Sequence, residues 1–113
     1  MNEWNEYLQK LETEPRLAVE FVLSTAIRLA PNAIKAMPYG VPGLKRNGKP
    51  LIAVAAHKNH YGVYPFSPNV IEGLKPLLGD LETAKGTIRF PYDKKPSKRL
   101  ISELLKLRTS EIL

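Results

Sequence analysis

"LIAVAAHKNHYGVYP", Leu51 to Pro65, decides how the rest of the chain is to be read. Two runs of β-branched, small and aromatic residues flank Lys58-Asn59, the pattern of antiparallel strands joined by a two-residue turn. On that reading His57 and His60 oppose one another beside the turn, with Cβ atoms about 4.5–5.5 Å apart. Side chains alternate between faces along a strand. Leu51, Ala53, Ala55, Gly62 and Tyr64 then share the histidines' face, and Ile52, Val54, Ala56, Tyr61 and Val63 share the other. The second set is bulky and apolar and is assigned to the main core. The first is small in its middle, which predicts a shallow groove floored by Ala55 and Gly62, with the histidines at one end and Tyr64 beyond.

Outward from this hairpin the signals remain legible. In "RNGK" the Asn47-Gly48 pair is what a type I′ turn favours, because both central residues take positive φ. "AIKAMPY" is a short strand whose proline suits an edge or a bulge. Further upstream, Trp4, Tyr7, Leu8 and Leu11 recur on one face of a first helix capped by Asn2. Thr13 is the expected cap of a second helix, with Pro15 in its first turn, where a missing N–H costs nothing. Arg16, Glu20, Ser24 and Arg28 make a narrow polar stripe on that helix, which predicts burial of most of its circumference and an end near Pro31-Asn32.

Downstream, Ser67-Pro68 reads as cap and first residue of a helix carrying Val70, Ile71, Leu74 and Leu77, disturbed at Pro76. "GTIRFP" is a last short strand. "PSKRLISELLKLRTSEI" is an amphipathic helix with Leu100, Ile101, Leu104, Leu105 and Arg108 along one side. The order ααββββαβα describes an α+β fold, an antiparallel sheet of about five strands with helices packed on it.

The 113 residues suit a single domain, 1–113. An apolar fraction of 43% and a charged fraction of 25% are those of a soluble globular protein. No cysteine is present, which excludes disulfides, thiolate catalysis and thiolate-held metal centres on this chain. It also fits a reducing, cytoplasmic setting. "MNEWNEYLQK" lacks the basic and apolar regions of a signal peptide, and no apolar stretch reaches membrane length. Charge is uneven: residues 1–20 hold five glutamates against Lys10 and Arg16, whereas residues 85–108 hold eight Lys/Arg against Asp93 and Glu103. Such a dipolar surface favours an anionic partner on one side.

Motifs for chemistry are sparse. Two histidines supply two metal ligands, short of the third or fourth that a stable site needs, and no Asp or Glu occurs between Glu20 and Glu72. There is no GxSxG, Gly-rich phosphate loop, HExxH or paired carboxylate in a loop, so the chain reads as non-catalytic. Lys85, Arg89, Lys94, Lys95, Lys98 and Arg99, interleaved with Phe90 and Tyr92, offer phosphate attraction and base stacking. The interspersed acids and the lack of any RNP, KH or helix-turn-helix pattern argue against nucleic acid as the partner.

"MPYGVPGLKRNGKPLIAVAAHKNHYGVYP" and "TAKGTIRFPYDKKPSKRLISELLKLRTSEI" together resemble the YdhG-like domain of unknown function, in the YjbR/CyaY-like (frataxin-like) superfamily. The most specific parts are Tyr39-Gly40-x-Pro42, Lys58-x-His60 with Gly62 and Tyr64-Pro65, and Lys85-Gly86-Thr87 leading into Phe90-Pro91. The resemblance implies a frataxin-like α+β sandwich and a non-enzymatic role, including an intracellular iron chaperone that serves iron–sulfur cluster or haem assembly proteins. Frataxins hold iron through carboxylates on the first helix and the start of the sheet. Glu3, Glu6, Glu12 and Glu14 would form the helical half here, while the first strand offers Lys35. The family's motif residues also fall on the expected groove. Tyr39, Lys58, His60, Tyr64, Lys85 and Arg89 would there hold a small anion or a partner's acidic segment. An open small-residue face would equally allow a homodimer in place of a monomer.

Overall fold

The computed structural model describes residues 3–113. Asn2, the cap expected for the first helix, and the side chain of Glu3 lie outside the described residues. Among the described residues the chain forms α1 (Glu3–Gln9), α2 (Thr13–Leu29), β1 (Ile34–Ala36), a 3₁₀ turn (Pro38–Gly40), β2 (Gly43–Arg46), β3 (Lys49–Ala56), β4 (His60–Tyr64), α3 (Pro68–Leu78), β5 (Glu82–Ala84), β6 (Thr87–Pro91) and α4 (Lys98–Ile112). The strands form one antiparallel sheet in the order β1-β2-β3-β4-β6-β5. The α+β architecture is the expected one, with a sixth strand added. That strand, Glu82-Thr83-Ala84, is exposed throughout and pairs with β6 alone. It carries no apolar alternation, so only backbone pairing reveals it.

The two hairpins form as their turn residues dictate. Asn47 and Gly48 take φ of 53° and 75°, the left-handed values of a type I′ turn. Ala53 pairs with Tyr64, Val54 with Val63, Ala55 with Gly62 and Ala56 with Tyr61, which brings His57 and His60 together at the tip. Tyr92 braces that tip, its hydroxyl donating to the His57 carbonyl at 2.7 Å.

The core lies between the helices and one face of the sheet. Ile52, Val54, Tyr61, Val63, Ile88 and Phe90 meet Val19, Val22, Leu23, Ile101 and Leu104 there. Each such side chain contributes about 1.5–3 kcal/mol on leaving water. Trp4 fastens α1 to the sheet, its indole N–H shared between the carbonyls of Ala36 (3.0 Å) and Gly43 (3.1 Å). Ser67 caps α3 through the Val70 N–H and donates to Glu111 on α4 at 2.8 Å. Ser97 caps α4 through the Leu100 N–H. No helix among the described residues is long and apolar enough to cross a membrane.

Three local expectations are corrected. Leu51, assigned by alternation to the groove face, is fully buried in the core. The register shifts between Leu44 and Lys45, which pair with Ile52 and Pro50, leaving Leu51 as the extra residue of a bulge. A bulge resets alternation, and Pro50, which lacks an N–H, suits its start. The cap of α2 is Glu12, not Thr13, which is already helical. Leu17 on α2 is 54% exposed, so this helix buries a face and not most of its circumference.

Candidate functional site

The second face of the sheet is floored by small residues. Ala53 lies between Gly43 and Tyr64, and Ala55 pairs with Gly62, which pairs in turn with Arg89. Gly43 has no alternative: a Cβ there would sit 2.3 Å from the Ile52 carbonyl oxygen. Gly62 is different. A Cβ on it would meet the Tyr64 ring at 3.0–3.1 Å, because that ring is laid back along the sheet over the glycine. Gly62 is thus roofed by Tyr64 and does not floor an open groove as expected; Ala55 alone of the two keeps that role.

The Tyr64 ring is held by its hydroxyl, 3.1 Å from Nε2 of His57. The His57 and His60 rings stack at 4.8 Å between centroids. His57 is an exposed residue overall, but its partial burial, aided by the neighbouring charges of His60 and Arg89, lowers its pKa below 6.5. Tyr64 is pushed upward from 10.0, first by burial and then by Tyr7, with Arg89 opposing. With both groups uncharged, one hydrogen bond joins them, the phenol donating or accepting according to the imidazole tautomer.

Beyond Tyr64 the face opens into a groove of about 430 Å³ lined by Tyr39, Ala55, His57, Tyr64, Phe66, Lys85 and Thr87, among others. Its lining comes from the 3₁₀ turn, β3, β4 and the segments around the β5–β6 turn, with no α-helical residue and no Asp or Glu among the described residues. Tyr39 and Phe66 stand at the lip, their rings stacked at 5.9 Å and 25°. Both have left-handed backbones, φ 53° and 61°. That region costs a side chain with a Cβ about 1–2 kcal/mol. Gly86, φ 78°, turns the chain from Lys85 to Thr87 at no such cost.

Of the six side chains expected in the groove, Tyr39, Tyr64 and Lys85 line it. Lys58 sits on the exposed hairpin tip outside the lining. His60 and Arg89 line an adjoining hollow of about 340 Å³ with Asn59, Asp80 and Lys94, and Arg89 pairs with Glu82 at 3.5 Å. His57 stands at the groove as expected, whereas Phe66 and Thr87 are groove residues that the sequence pattern did not single out. Alternation from Tyr64 would have put Phe66 on this face, and the opposition of His57 to His60 already placed His57 there.

Glu6, Glu12 and Glu14 are exposed on α1, between the helices and in the first turn of α2. Lys35, on β1, lies over the Trp4 ring at 4.6 Å, and Lys95 lies over Phe21 at 5.1 Å. Among the described residues no three His, Asp or Glu side chains gather as a metal-holding group.

No family model matches the chain, and no curated protein matches it. Among solved structures it is similar to the crystal structure of a DUF1801-family protein, YdhG, from Bacillus subtilis. The two are 19% identical, with a TM-score of 0.87 over 96% of this chain and 89% of that one. The likeness is one of fold, in keeping with the YdhG-like resemblance of the sequence: this chain has the fold of a DUF1801-family protein.

Proposed function

We infer that the chain is a small non-catalytic binding protein whose ligand, a small organic anion, occupies the groove on the second sheet face. One observation carries this reading: Tyr39, His57, Tyr64, Lys85 and Thr87, from three separate parts of the sequence, converge on one cavity that holds no Asp or Glu among the described residues. An apolar concavity with a few convergent polar groups is the usual form of a small-molecule site. A lysine on its rim selects for negative charge. The acidic segment of a partner protein would engage the same lysine through the same chemistry.

The iron-chaperone role implied by the frataxin-like resemblance would instead place metal near Glu6, Glu12 and Glu14. Those side chains point to no shared centre among the described residues, and Lys35 brings positive charge to the adjoining strand. Hard cations favour oxygen ligands free of such competition, so the groove is the better-founded site.

Titration of the chain with acetate and inorganic phosphate, followed by NMR, tests the reading. Shifts concentrated at His57, Tyr64, Lys85 and Thr87 are expected. The absence of any perturbation at millimolar anion would remove it.

A further inference from the structure

Tyr39 is held at the groove in a costly backbone conformation and lies mostly in solvent. Its φ is 53° and it is 87% exposed. A tyrosine held in the left-handed region with its ring in solvent recovers nothing by core burial, and such strain concentrates where a ligand is clamped. Phe66, φ 61°, is the second such aromatic, and the two rings stack. Asn47, also at positive φ, is accounted for by its type I′ turn. The two aromatics at the lip have no equivalent account in the hairpins.

The groove beside them is lined by a further aromatic ring. Tyr64 lies along the sheet, fixed by His57, and presents a second aromatic surface. Ala55 in the same lining projects only a methyl group. The volume, about 430 Å³, has room for a bicyclic ring. At the edge, Lys85 is exposed and forms no ion pair among the described residues. Thr87 lines the same cavity.

Resting on the anion-binding reading above, we propose that the groove takes a flat aromatic or heteroaromatic ring bearing a carboxylate or phosphate. The ring stacks on Tyr39 and Phe66 above Ala55, and the anionic group is held by Lys85 and Thr87. Aromatic carboxylates and nucleoside monophosphates share this chemistry.

The test uses the full chain with five probes: acetate, inorganic phosphate, 2-naphthoate, 2-naphthalenemethanol and adenosine monophosphate, each titrated by NMR. Stacking should make naphthoate or the nucleotide bind about tenfold more tightly than its ring-free anion. The tighter of the two names the source of the charge. The neutral alcohol should bind at least about fivefold more weakly than naphthoate, since it offers nothing to Lys85. Tyr39→Gly should weaken ring-bearing probes about five- to tenfold and weaken acetate far less. If acetate and phosphate shift Lys85 and Thr87 but the ring-bearing anions bind no more tightly, the aromatic proposal is overturned and the anion site stands. If the alcohol binds as well as naphthoate, the anionic requirement is overturned. If no probe moves any groove residue, both readings fall together.

Discussion

Tyr64 Oη lies 3.1 Å from His57 Nε2, although the two residues are not cross-strand partners: Tyr64 pairs with Ala53 and His57 closes the hairpin opposite His60. The contact spans Gly62, and the missing side chain there is what lets the ring lie back far enough to make it. One glycine thus sets both the tilt of the tyrosine and the depth of the groove beside it.

Gly62→Ala should shift the Tyr64 ring and break its bond to His57 at modest cost in stability, about 1 kcal/mol, because a side chain can give by a few tenths of an ångström. Gly43→Ala should cost about 3 kcal/mol or more, since its Cβ meets the backbone of Ile52, which cannot give. Denaturant melts of the two variants check the contrast, and a Gly43→Ala protein as stable as Gly62→Ala would contradict it.

His57 should titrate below the ordinary value of 6.5 in an NMR pH series, held there by partial burial first and by His60 and Arg89 next. Between its folded pKa and 6.5 the folded chain binds fewer protons at this site than the unfolded chain. Its contribution to stability is therefore full above 6.5 and is lost as pH falls through that window. Arg89→Gln should raise the His57 pKa only part of the way, since burial remains. A bound anion should raise it too, so anion affinity should increase on acidification through the same range.

Relief of strain makes a separate prediction. Tyr39→Gly should leave stability unchanged or raise it by up to about 1 kcal/mol, because glycine accepts φ near 53° freely and the tyrosine ring is largely in solvent. Thermal unfolding measures this directly. A clear loss of stability would show that the stack on Phe66 holds the fold together.

Ser67 joins two helices through one hydroxyl, accepting from the Val70 N–H and donating to Glu111. Ser67→Ala should destabilise by about 1–2 kcal/mol, the usual cost of losing a helix cap. Glu111→Gln should cost less, because the cap survives. Comparison of the two by urea denaturation separates the cap from the Glu111 charge, which also pairs with Arg108 at 3.1 Å.

Much of this architecture is written in short-range pattern. Ser67-Pro68 and Ser97 cap helices because the first N–H groups of a helix lack partners within it and a serine hydroxyl supplies one. Asn47-Gly48 turns because both residues tolerate the left-handed region. The hairpin from Leu51 to Pro65 pairs in the register that its alternation requires, up to the point where that register is reset. That point is Leu51, which the alternation put on the groove face and the bulge at Leu44/Lys45 turned into the core. β5 escaped for the opposite reason: three exposed residues form a strand only because β6 offers them a free edge.

The candidate site was legible in part. Tyr39, Tyr64 and Lys85 were singled out and do meet, while Lys58, His60 and Arg89 lie on the hairpin tip or over the next hollow. Alternation says which face a side chain leaves from, but not where its end comes to rest. By itself the sequence determined the elements, the hairpin register and the face that carries the histidines, because each follows from local sterics and the period of apolar residues. Only tertiary structure decided that Tyr64 folds back over Gly62, that His57 and not His60 meets it, and that Phe66 joins Tyr39 at the lip. Those outcomes depend on rotamers and on distances across strands remote in sequence, which no local pattern encodes.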